Sequence, residues 1–209
     1  MNDPAGRLLN RPPPFGAVHN WLGLEMVNRL LAHSMSHRHL FEDSTIAYPG
    51  DKKVNPKRRI SLKLKELGDL KGELEASWRS ALPMMIETLG SQKFIPSKID
   101  LAIVSHGDGA FFERHKDWPT GTPNPRVISG VYYFHSAPKA FSGGNLQLYS
   151  LGARDSGPRG QHVSIEPEND SMVFFPSWFI HEVTPIQCPS GRFEDSRFAL
   201  NCWFHHHRE

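Results

Sequence analysis

Apolar residues recur along this chain with two different periods, and the change of period divides it. From about Trp21 to His33, the spacing of Trp21, Leu24, Val27, Leu30 and Leu31 marks one face of a helix. A second helix is predicted from about Asp69 to Leu89. There Leu70, Leu74, Trp78, Ala81, Leu82, Met85 and Leu89 share a stripe, and Pro83 is expected to kink or split it. Between the two, Ile60, Leu62 and Leu64 alternate with Ser61 and Lys63, a strand signal. After Pro96 the helical period gives way to short β-type runs punctuated by Gly, Pro and Asn: 98–105, 110–114, 127–134, 145–149, 162–165, 171–175 and 197–204. Many short strands with such punctuation predict a sandwich, barrel or jelly roll. The expected fold is therefore mainly β with supporting N-terminal helices. Helical support covers about 18–95 and the β core about 96–205, within one domain spanning 18–209. Residues 1–17, rich in Pro and Gly, read as a flexible leader.

Composition narrows the function. Lys and Arg number 24 against 22 Asp and Glu, a net charge of +2, so a dedicated nucleic-acid binder is not expected. No apolar run approaches the roughly 20 residues of a membrane span, and no segment reads as a signal peptide. A cytoplasmic protein without a membrane partner is expected. Cys188 and Cys202 can build neither a disulfide scaffold nor a four-thiolate zinc site, and a reducing setting is the default. Twelve His change the picture, because they invite a search for a metal site and also make chance motifs common.

A His and an acid two apart on a strand face the same way and can share a metal. Chance alone predicts about one such pair at this composition. The chain has three: His106/Asp108, His115/Asp117 and His207/Glu209. Context chooses among them. Gly107 and Gly109 make the first a tight turn, and the third lies at the C-terminus. His115/Asp117 follows the run Phe111-Phe112-Glu113-Arg114 and sits on the rim of the β core. His181, after the apolar run 174–180, is the best candidate for a second imidazole.

The order of the pieces is distinctive. His-x-Asp is followed by Gly143-Gly144-Asn145-Leu146, then by His181-Glu182-Val183-Thr184-Pro185, then by Arg197-Phe198-Ala199-Leu200-Asn201-Cys202-Trp203-Phe204. This resembles the 2-oxoglutarate- and Fe(II)-dependent dioxygenases, in their prolyl 4-hydroxylase-like branch, over roughly residues 55–205. The resemblance implies a double-stranded β-helix (jelly roll). It implies Fe(II) held by His115, Asp117 and His181, with 2-oxoglutarate and O2 as cosubstrates and ascorbate as reductant. Two His and one carboxylate occupy one face of an octahedral Fe(II) and leave three positions open. The far carboxylate of 2-oxoglutarate is implied to meet Arg197, whose planar fork suits it, and Tyr133. Asn201 and Trp203 would share the inward face with Arg197. Arg197 follows His181 by sixteen positions, farther than is usual in the family, and Arg192, at eleven, is the rival. Arg197 is preferred because its strand context matches, whereas Arg192 follows Pro189-Ser190-Gly191 in a turn. Ser105 stands where several relatives carry a Tyr that touches the cosubstrate.

The implied activity is hydroxylation of an unactivated C–H, of a prolyl or similar residue in a peptide or protein, with release of succinate and CO2. A free amino acid or small metabolite is the alternative substrate. A non-catalytic jelly-roll binding module is the distant alternative, and it has no need for this set of residues. The basic loop from Lys52 to Arg59 is a candidate substrate entrance, and Phe111, Phe112 and Trp118 could shape a pocket. His33 and His37, one helical turn apart, read as surface His rather than a zinc site.

Overall fold

A computed structural model describes residues 11–48, 51–118, 124–152 and 161–207. Twelve strands among the described residues build two facing antiparallel sheets. In chain order they are β1 (Gly16–His19), β2 (Glu42–Asp43), β3 (Arg59–Ile60), β4 (Leu62–Leu64), β5 (Lys98–His106) and β6 (Phe111–His115). There follow β7 (Arg126–Phe134), β8 (Leu146–Tyr149), β9 (His162–Ile165), β10 (Ser171–Pro176), β11 (His181–Val183) and β12 (Arg197–His205). The larger sheet runs β1-β10-β7-β12-β5-β4-β2 and the smaller β9-β8-β11-β6-β3. Two short pairs join Ser142–Gly143 to Ile186–Gln187 and Ile46–Tyr48 to Asp51–Lys53. The architecture is the mainly β jelly roll with supporting helices that the sequence predicts.

Period-two alternation on the larger sheet makes two interiors from one set of strands. On β12, Phe198, Leu200, Cys202 and Phe204 face the helices, with Ile103, Tyr132, Phe134, Met172 and Phe174 from neighbouring strands. Two helices cover them: α1 (Leu24–Ser36) and α2 (Leu70–Leu89). Leu74, Trp78 and Met85 of α2 are fully buried there. Each such side chain contributes about 1.5–3 kcal/mol of burial. Trp78 lies flat on the sheet because residue 130 is glycine: a Cβ at Gly130 would overlap the indole. The opposite face of the same strands, with Tyr133, Val173, Phe175 and Ala199, closes on Leu146 and Leu148 of the smaller sheet.

Several local readings change. α1 begins at Leu24, not Trp21, because Asp170 receives the chain just before it: its carboxylate accepts the backbone N–H groups of Leu22 (3.0 Å) and Gly23 (3.1 Å). An acid placed there also complements the helix dipole. Trp21 instead packs edge-on against Trp78 with centroids 4.6 Å apart. α2 runs through Pro83 as one element, its apolar stripe held by the core. The alternating run at Ile60–Leu64 breaks at Ser61, so that β3 joins the smaller sheet and β4 the larger. Gly16 and Ala17, read as the end of a leader, open β1 and pair with β10; residues 1–10 lie outside the described residues. Among the described residues, no helix is long and apolar enough to cross a membrane.

Candidate metal centre

Cross-strand register brings the His-x-Asp pair to His181. His115 ends β6 and stands directly opposite His181 on β11, with the ring centroids 4.1 Å apart. A bulge between the two strands lets Phe112 stack on the His115 ring. Asp117, just past the strand, is anchored by its own N–H to Ser177 O at 3.0 Å. One ligand atom from each of His115, Asp117 and His181 lies within 4.8 Å of the others. Asp117 Oδ1 is 3.8 Å from His115 Nε2, and Oδ2 is 3.6 Å from His181 Nε2.

The supporting contacts leave the right atoms free. His115 Nδ1 donates to Glu113 O (2.7 Å) and His181 Nδ1 to Phe179 O (3.0 Å). A carbonyl can only accept, so each ring puts a proton on Nδ1 and turns Nε2, the atom a metal would take, toward Asp117. Asp117 Oδ2 accepts from Ser129 Oγ and from Trp203 Nε1, each at 2.8 Å. Burial, with His181 beside it, pushes the His115 pKa well down and keeps the ring neutral. Burial pulls Asp117 upward, but His181, Arg126, His115 and the Trp203 bond outweigh it and hold the carboxyl well below the usual range. Two imidazoles and one ionised carboxylate are a donor set that fits Fe(II).

Between the same two sheets lies a buried cation that forms no ion pair among the described residues. Arg197, at the start of β12, is 2% exposed. Its Nη1 donates to His106 Nδ1 at 3.2 Å, and its guanidinium carbon lies 4.7 Å over the Tyr133 ring. Arg197 Nε, Tyr133 Oη and His106 Nε2 are all buried without a hydrogen-bond partner. Because His106 accepts at Nδ1, its Nε2 carries the proton, and three buried donors around Arg197 lack an acceptor. Burial lowers the Arg197 and His106 pKa values; it raises that of Tyr133, against the pull of the Arg197 charge. Orphaned buried donors are costly unless an acceptor joins them. Gly144, second of the Gly-Gly pair, makes room: a Cβ there would stand 2.6 Å from Arg197 Cδ.

The other expected residues fall as follows. Ala199, Asn201 and Trp203 share the Arg197 face of β12, by alternation against Phe198, Leu200, Cys202 and Phe204. Trp203, placed among cosubstrate partners by the sequence, is bonded to Asp117 and so braces a candidate metal ligand. Arg192 has a side chain 62% exposed and is paired to Asp195 at 2.9 Å, which removes it from the interior. Ser105 points away from Arg197; His106, its neighbour, is the residue paired with Arg197 in register. Asp108 accepts the Cys188 N–H at the turn, away from His106. Glu209 lies outside the described residues. His33 Nε2 and His37 Nδ1 bond to the carbonyls of Glu66 and His33. From the basic loop, Arg58 pairs with Glu113, whereas Arg59 turns inward, and Val54, Pro56 and Arg59 line a groove of about 380 Å³. Sequence reasoning sets His106 aside as part of a turn, names Arg59 only within the basic loop, and misses Ser129 and Arg126. Of the two missed, Ser129 carries a signal, standing two alternations before Tyr133 on one strand face.

A family model for the 2OG-Fe(II) oxygenase superfamily matches residues 101–205. An uncharacterized PKHD-type hydroxylase from Synechocystis is 30% identical over 196 residues, covering 92% of this chain; the chain spans 63% of that protein's length. Among solved structures, a Pseudomonas putida prolyl-4-hydroxylase superposes with a TM-score of 0.68 at 19% identity, over 93% of this chain and 94% of that one. A Trichoplax adhaerens prolyl hydroxylase, solved with a hypoxia-inducible-factor peptide fragment, gives 0.63 at 21% identity, over 92% and 83%. At these identities the two structures speak for the fold.

Proposed function

This chain belongs to the 2OG-Fe(II) oxygenase superfamily, and from that premise we propose that it hydroxylates an unactivated C–H of a prolyl or similar residue in a peptide or protein. The observation that supports the reading most is the pairing of two incomplete sites: a neutral His, an ionised Asp and a second His converging within 4.8 Å, beside buried donors that lack an acceptor. In this reading His115, Asp117 and His181 hold Fe(II). Arg197, Tyr133 and His106 receive the far carboxylate of 2-oxoglutarate, and Asn201 lines the space between. When bound, the metal, 2-oxoglutarate and O2 supply the oxidant that turns C–H into C–OH, with succinate and CO2 released and ascorbate keeping the iron ferrous.

The chain's own residues orient and shield. Ser129 and Trp203 fix the Asp117 carboxylate, so only Oδ1 is left to turn toward a ligand. The Glu113 and Phe179 carbonyls lock both imidazole tautomers. Phe175, edge-on to His181 at 4.7 Å, keeps water from one side of the cluster. Arg197 is fixed before any ligand arrives by the Tyr133 ring below it and by His106. Such pre-organisation lowers the ordering cost of binding.

The test is succinate release from the purified chain with Fe(II), ascorbate and 2-oxoglutarate, then with prolyl peptides added, against Asp117→Ala. The expected result is slow turnover that prolyl peptides accelerate and that vanishes in the variant while its melting temperature holds. Equal turnover in the variant, or no turnover together with no binding of Mn(II) or 2-oxoglutarate to wild type, overturns the reading.

A further inference from the structure

Each member of the His115–Asp117 pair carries an aromatic ring, and each ring carries an arginine. Phe112 stacks on the His115 imidazole with centroids 3.4 Å apart, and the Arg59 guanidinium lies 4.4 Å over Phe112. Trp203 is bonded to Asp117, and the Arg126 guanidinium lies 4.2 Å over Trp203. Arg59 Nε is tethered further to Ser61 Oγ at 2.8 Å, and Arg126 Nη1 stands 3.7 Å from Asp117 Oδ1. Stacking holds a planar guanidinium in place and leaves its N–H edge open to a carboxylate. The adjacent Arg58 shows the ordinary alternative, a solvent-side pair with Glu113.

The carboxylate near both arginines is Asp117, and its Oδ2 already accepts two bonds. Burial lowers the Arg59 pKa to about 10, with Asp117 opposing and the Arg126 charge adding to the fall. Two like charges kept close and partly desolvated are unfavourable until an anion joins them. With Fe(II) and 2-oxoglutarate in place, the metal, Asp117, the dicarboxylate and Arg197 balance in charge. Arg59 and Arg126 are then the cations left beside the His115–Asp117 pair. Arg59 also lines the groove of about 380 Å³, with Ile60, Leu62 and Ala110 and with the acids Asp43 and Asp108 in its wall. The groove gives a bound molecule room beyond one carboxylate.

We infer that Arg59 and Arg126 form a carboxylate-binding subsite, so that the substrate of this chain carries a carboxylate near the C–H presented to the metal. The inference rests on the proposed metal site and deepens it. The carboxylate can come from a free amino acid or from an acidic residue of a peptide, and the test separates these sources.

The experiment is calorimetric titration of the full chain loaded with Mn(II) and 2-oxoglutarate, which does not turn over. One arm pairs free amino acids, including proline, with their carboxamides. The other pairs blocked peptides in which a proline adjoins aspartate or asparagine. At least one acid is expected to bind tenfold or more tightly than its amide, a step of about 1.4 kcal/mol. Arg59→Gln and Arg126→Gln, singly and together, are expected to erase most of that preference. The arm that shows the preference names the source. No acid preference in wild type overturns the inference without help from any variant, as does a preference that survives both substitutions. Failure of wild type to bind Mn(II) or 2-oxoglutarate takes down the metal-site reading and the subsite together.

Discussion

Tyr132 and Tyr133 are adjacent on β7 and both fully buried, yet their hydroxyls meet opposite fates. Tyr132 faces the helices and donates to Asp170 Oδ1 at 2.8 Å, which completes the anchor that starts α1. Tyr133 faces the other sheet, and its hydroxyl has no partner. β12 repeats the contrast. Phe198 and Phe204 sink into the helix-covered core, and Arg197, one residue from Phe198, is a buried cation with an unbonded Nε. The helix-covered face is closed and apolar, with Trp78 Nε1 an unbonded donor in it; the face between the sheets is organised but holds an unbonded cation, imidazole and hydroxyl together. Marginal stability allows this only because the two faces share their strands, so the dry side can hold rigid what the other side leaves open.

Substitutions on the two faces should therefore separate stability from binding. The largest effect is expected for Trp78→Ala, with a loss of about 3–5 kcal/mol of unfolding free energy in urea. The variant protein that remains folded should still bind Mn(II). A loss of metal affinity as deep as the loss of stability would erase the distinction. Next comes Arg197→Met. Removing charge-assisted bonds worth about 1.5–3 kcal/mol should weaken 2-oxoglutarate binding by roughly tenfold to a hundredfold. The melting temperature should hold or rise, because an uncompensated buried cation is gone. A fall of several degrees would show that Arg197 is structural. The smallest effects come from the tyrosines. Tyr132→Phe should cost about 1 kcal/mol of stability and leave the Asp170 carboxylate short of a donor, with 2-oxoglutarate affinity unchanged. Tyr133→Phe should do the reverse, a severalfold weaker affinity with unchanged stability. If both variants lose the same quantity, the two faces are not distinct in the way described.

Much of this arrangement was legible along the chain. Apolar spacing places both helices within a few residues, and alternation on β12 separates Arg197 from Phe198. The His-x-Asp pair was legible only with its context, since three such pairs occur. That His106, and not Ser105, meets Arg197 was not legible. Which of two neighbours faces Arg197 depends on the pairing of β5 with β12, and a shift of one residue exchanges every face. The break at Ser61 was invisible because the residues on either side keep one period while they enter different sheets.

The sequence by itself determined periodicities, and with them the helices, most strands and the inward or outward sense of β12, because side-chain direction is a local property of the backbone. The order of its motifs determined the family. Tertiary structure alone decided which side chains meet. His115 reaches His181 through strand register, Trp203 reaches Asp117 across 86 positions of chain, and Arg59 and Arg126 arrive beside the His115–Asp117 pair from different sheets. Those meetings depend on pairings between distant segments, whose register answers to the packing of the whole β core rather than to the residues at either end.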